Sequence, residues 1–98
     1  MAVNVFPEKL LLHTAFLNTV EELCSALDPC RSKLLKKYLA IARERPSDVA
    51  VLLIAELCKE MGVRLPWNPT VVYRDFDEDT VREIRRTVKR IASLCEND

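Results

Sequence analysis

Residues 28–48 read DPCRSKLLKKYLAIARERPSD, and the two ends of this stretch decide the fold. Asp28 offers an N-cap oxygen. Pro29 sits at the first helical position, where a backbone N–H has no intrahelical partner and its loss costs nothing. At the far end Pro46 excludes continued helix, and Ser47 or Asp48 can cap the next one. Between these signals Leu34, Leu35, Tyr38, Leu39, Ile41 and Ala42 recur at helical spacing as a buried stripe. Lys33, Lys36, Lys37 and Arg43 lie opposite. The stretch therefore predicts a helix over 29–44. The Asp-Pro pair also ends whatever precedes it, so the first two helices form an antiparallel hairpin.

Toward the N-terminus, Pro7 is placed for a first helical turn, and a helical pattern follows to Leu27. Leu12, Phe16, Val20, Leu23 and Leu27 share one face, while Thr14, Asn18, Glu21, Glu22 and Ser25 fall on the other. Toward the C-terminus, residues 48–61 are apolar on most of their circumference through Ala50, Val51, Leu53, Ile54, Leu57, Cys58 and Met61. A helix apolar nearly all round belongs in a core. Gly62, the only glycine, is placed to supply a left-handed C-cap.

Residues 63–77 lack helical character. Pro66 and Pro69 flank Trp67, and Thr70–Tyr73 has the β-branched and aromatic make-up of a short strand that could pair with Val3–Val5 as a small ribbon. The acidic group Asp75, Asp77, Glu78 and Asp79 marks the start of a fourth helix, where negative charge complements the free N–H groups. Val81, Ile84, Val88, Ile91 and Cys95 give it a heptad seam of about two repeats, too short for a free coiled coil. The expected fold is all-α: one domain over 1–98, a four-helix bundle with helices at about 8–27, 29–44, 48–61 and 78–95, and a long third loop holding the short strand.

Composition excludes several classes. The chain has 98 residues, of which 49% are hydrophobic and 31% charged, and its net charge is zero. Disorder and collagen-like structure need different compositions. The longest apolar run, Val49–Ala55, is far below the roughly 20 residues of a membrane span, so no membrane role is expected. Met1–Pro7 has no basic n-region of a secretory signal, which predicts an intracellular location.

Four cysteines, Cys24, Cys30, Cys58 and Cys95, are too widely spaced for a tetrahedral metal site, which prefers ligands two to four residues apart. Neither a metal nor a cofactor is predicted. The thiols read either as small buried hydrophobes or as bridge formers. The absence of glutamine, nine arginines and one glycine lean toward a thermophile composition, in which intracellular disulfides are tolerated. A Cys24–Cys30 bridge would then staple the first inter-helix turn.

Enzyme signatures are missing. A phosphate-cradling loop needs several glycines, and no Gly-x-Ser-x-Gly or His-Glu-x-x-His is present. His13, the only histidine, lies at the edge of an apolar face and reads as a packed or half-exposed structural residue. The carboxylates Glu21 and Glu22 lie on a solvated face, and the 75–79 cluster is explained by capping. Neither catalysis nor a small-molecule substrate is predicted.

Charge is banded along the chain. Residues 29–45 carry six bases and one acid, and residues 80–98 carry five bases and three acids, while every other segment is net acidic. Arg82, Arg85, Arg86, Lys89 and Arg90 form a ridge on the fourth helix, and Lys33, Lys36 and Lys37 a second on helix two. Such ridges can neutralise phosphates, and Trp67 and Tyr73 could stack on bases. Equally large acidic surfaces oppose this. Leu11, Val49 and Leu52 fall outside the main apolar faces and, with Trp67 and Tyr73, are candidate interface residues, Trp67 reading equally as a plug folded back on one end of the bundle core. The leading expectation is a non-catalytic helical interaction module, acting as a homodimer or as a small subunit of a larger complex. The alternative is a nucleic-acid-associated accessory protein using the two basic ridges.

Overall fold

Local capping chemistry sets the helix boundaries. The computed structural model describes residues 7–65 and 76–96, with side chains from His13 onward. Among the described residues four α-helices run in order: α1 over Pro7–Leu23, α2 over Pro29–Glu44, α3 over Asp48–Glu60 and α4 over Glu78–Ser93. They form an all-α four-helix bundle, with no strand among the described residues. The strand expected at Thr70–Tyr73, its Val3–Val5 partner, Trp67 and the side chain of Leu11 all lie outside those residues.

Three N-caps follow the sequence signals. The Arg31 N–H donates to Asp28 Oδ2 at 3.2 Å, with Pro29 in the first turn. The Ala50 N–H donates to Ser47 Oγ at 3.0 Å, and the Thr80 N–H to Asp77 Oδ1 at 2.8 Å. Each satisfies a donor that the helix itself leaves unpaired. The Thr80 hydroxyl and amide together hold the Asp77 carboxyl below its usual range. Gly62 adopts φ +77° and ends α3. Its N–H donates to Lys59 O at 3.3 Å, and the Val63 N–H to Cys58 O at 2.8 Å, the paired bonds of a Schellman cap. Val63 then packs back on the core, which fixes the exit direction of the chain.

The end of α1 differs from expectation. The α-helix stops at Leu23 and tightens into a 3-10 turn over Cys24–Ala26, closed by a bond from the Leu27 N–H to Cys24 O at 3.0 Å. No glycine is available there, so the last turn tightens instead, and Leu27 turns extended before the Asp28-Pro29 step. The buried face of α1 is also rotated: Phe16, Leu17, Val20 and Cys24 are buried, while Leu23 is half-buried. Two helices flank α1, and the face turned between them is the 16/17/20/24 face.

The core draws on all four helices. Leu35, Leu39 and Ala42 from α2, Val51, Ile54, Ala55, Leu57 and Cys58 from α3, and Val88 and Ile91 from α4 close over the α1 face. α3 is the central element: it packs on α1, α2 and, most extensively, α4. Its all-round apolar surface is thereby accounted for. Among the described residues no helix is long and apolar enough to cross a membrane.

Three expectations are corrected here. Ile41 is not part of the buried stripe but is 47% exposed. It stands about 120° round the helix from Leu35, at 100° per residue, and α2 turns its 35/39/42 face inward. Leu52 is not a surface residue: its exposure is 0%, because α3 is enclosed on more sides than one amphipathic stripe implies. The bridge is not Cys24–Cys30. Cys24 is a buried free thiol, and Cys30 is bonded to Cys95 with Cα atoms 5.7 Å apart. Cys24 belongs to the inward face of the 3-10 turn, whereas Cys30 sits in the first turn of α2 against the end of α4.

Candidate interaction surface

Arginines of the α4 ridge point along a helix whose own acids, and one acid of α3, are within reach. Arg82 Nη1 lies 3.4 Å from Asp79 Oδ1, and Arg86 Nη1 3.6 Å from Glu83 Oε2. These are exposed i,i+3 pairs, worth little in stability but enough to offset charge locally. Arg85 Nε donates to Glu56 Oε1 at 3.2 Å. Three of the five ridge cations thus face carboxylates. Lys89 and Arg90 are exposed, as are Lys33, Lys36 and Lys37 on α2. Lys37 Nζ lies 5.9 Å from the Tyr38 ring centroid. The two basic ridges are not brought together by packing, since α4 lies mainly along α3.

Glu56 is the polar residue that the sequence reading passed over. It is 4% exposed and sits in the α3–α4 contact. Oε1 accepts from Arg85, while Oε2 is buried with no hydrogen-bond partner. Leaving a carboxylate oxygen in that state is costly, so the half-exposed Arg85 carries most of the compensation. A signal for it exists in the sequence: Glu56 is the one charged side chain between Asp48 and Lys59, within VAVLLIAELC.

Other polar ties join the helices at their rims. His13 Nε2 lies 3.2 Å from Asp48 Oδ1, linking α1 to the first turn of α3. The one candidate catalytic base is therefore engaged with a carboxylate. Arg43 Nη2 donates to Asn18 Oδ1 at 2.9 Å and lies 3.5 Å from Glu21 Oε1, which fastens the α1–α2 hairpin. Among the described residues no three His, Cys, Asp or Glu side chains converge as metal ligands would.

Among the described residues the exposed large apolar side chains are Ile41, Val49 and Leu94, at 47%, 51% and 62%. Ile41 and Val49 belong to the two helices that meet at the Arg45–Ser47 corner. Val49 is the expected interface residue that is exposed, whereas Leu52 is withdrawn into the core. Leu94 neighbours the Cys95 bridge.

The two free thiols are shielded. Burial pushes the Cys58 thiol up to about 12, with Cys24 adding to the effect. Burial also raises Cys24, partly opposed by Lys36. Comparison with protein-family models, with curated proteins and with solved structures finds no match to this chain.

Proposed function

We propose that this chain is a non-catalytic α-helical interaction module, working as a homodimer or as a small subunit of a larger complex. The observation that carries this reading is that Ile41 on α2 and Val49 on α3, helices joined through residues 45–47, are each about half exposed. Exposed apolar side chains on rigid helices are the kind of feature that a partner surface covers, and the Ser47 cap fixes where α3 begins, one residue before Val49. The alternative, a nucleic-acid-associated accessory role, is less favoured because Arg82, Arg85 and Arg86 face carboxylates that a phosphate would have to displace.

Light scattering coupled to size-exclusion chromatography tests the self-associating form. The expected result is a concentration-dependent dimer that Ile41→Glu with Val49→Glu converts to monomer, with the thermal midpoint little changed because both positions are exposed. A strict monomer at high concentration, together with a salt-sensitive shift of DNA or RNA, would favour the accessory role instead.

A further inference from the structure

The Cys30–Cys95 bond joins two helix ends of opposite polarity. Cys30 is the second residue of α2, following Pro29 and the Asp28 cap. Free N–H groups and the positive end of the helix dipole meet there. Cys95 lies in the turn that ends α4, where the N–H groups of Leu94, Cys95 and Glu96 fold back on the carbonyls of Ile91, Ala92 and Ser93. That is the negative end of a helix. The charged side chains beside Cys30 are Asp28 and Arg31, themselves paired at 3.7 Å, with Lys33 one turn on. Beside Cys95 stands Glu96, exposed. A thiolate is thus better stabilised on Cys30 than on Cys95.

Access and packing add two independent facts. Both bridging residues are half-buried, unlike Cys24 and Cys58, which are sealed in the core. α4 packs mainly on α3, so the disulfide is its covalent tie to α2 and not a bond within a tightly packed pair.

We propose that Cys30–Cys95 is a thiol-exchange site that clasps the end of α4 to the start of α2, and that its substrates are low-molecular-weight thiols. An incoming thiolate attacks Cys95 Sγ. The S–S bond breaks, a mixed disulfide forms on Cys95, and Cys30 leaves as the thiolate held at the α2 N-terminus. A second external thiol then attacks the mixed disulfide. Two external thiols become one external disulfide, and the protein gains two electrons and two protons as the Cys30 and Cys95 thiols. Opening the clasp releases residues 94–96 from α2 while the α3–α4 seam of Val88, Ile91 and the α3 core stays packed.

The test uses the full chain and reduced glutathione. Under native conditions, millimolar glutathione should raise the mass by two protons. Subsequent brief iodoacetamide labelling at neutral pH should modify Cys30 at least fivefold faster than Cys95, leaving Cys24 and Cys58 unlabelled. Hydrogen exchange should quicken over 90–96 and stay slow over 51–58. A bond that resists glutathione until denaturant is added would overturn the proposal, as would loss of protection throughout α3 on reduction. Equal labelling of the two residues, or faster labelling of Cys95, would overturn the assigned direction of attack.

Discussion

Cys24 and Cys58 lie in the apolar interior between the 3-10 turn after α1 and the last turn of α3, as free thiols raised by burial. Cys30 and Cys95 lie half-buried where α2 begins and α4 ends, joined to each other. The same side chain therefore plays a small hydrophobe in one region and a covalent fastener in the other. What separates the regions is the neighbouring chemistry. In the core, aliphatic side chains disfavour a thiolate and hold the two sulfurs as packing atoms. At the α2–α4 end, backbone poles and solvent permit sulfur chemistry.

The strongest way to break this comparison is to remove the fastener. The bond closes a separation of 65 residues, for which the chain-entropy relation gives about 4 kcal/mol. Cys30→Ala with Cys95→Ala should lower the urea-unfolding free energy by about that amount, while leaving a cooperative transition. A non-cooperative transition would show that the α3 core does not hold without the clasp.

Alkali probes the other region. Burial lifts the folded-state pKa of Cys58 from the ordinary thiol value of 9.0 to about 12, so the fold favours the neutral thiol. That contribution is complete below pH 9 and is lost as pH rises from 9 to 12, at about 1.4 kcal/mol per unit. Between pH 9 and 11 the wild type should lose about 3 kcal/mol more stability than Cys58→Ala, measured by urea midpoints at each pH. Parallel pH profiles would mean that the thiol is not in an apolar setting.

The smallest effect concerns the α3–α4 seam between the two regions. Arg85→Ala leaves the Glu56 carboxylate buried without its ion pair and should cost about 2 kcal/mol, since Arg85 itself is half-exposed. Glu56→Met should leave thermal stability unchanged or raise it by about 1 kcal/mol. A larger loss in Glu56→Met than in Arg85→Ala would show that the pair specifies how the two helices meet and is not merely compensated.

Legibility in the sequence followed the range of the interaction. Asp28-Pro29, Pro46-Ser47, Asp77 and Gly62 act within one helical turn, and the caps and the φ +77° turn occur where those residues stand. The candidate site was less legible. Ile41 read as core and is 47% exposed, whereas Leu52 read as surface and is 0% exposed. Both sit on the margins of an apolar stripe, where periodicity gives a direction but not the number of neighbours.

The sequence by itself determined that the described chain is helical, where each helix begins, and that α3 is the central one. Caps, prolines, a lone glycine and apolar periodicity encode these locally, so no distant residue is needed to read them. Only the tertiary structure decided which cysteines meet, that Glu56 is buried against Arg85, and that Ile41 and Val49 stay exposed while Leu52 is enclosed. Those outcomes depend on which helix face meets which. In this chain that choice is made by burial summed over four helices, with partners up to 65 residues apart.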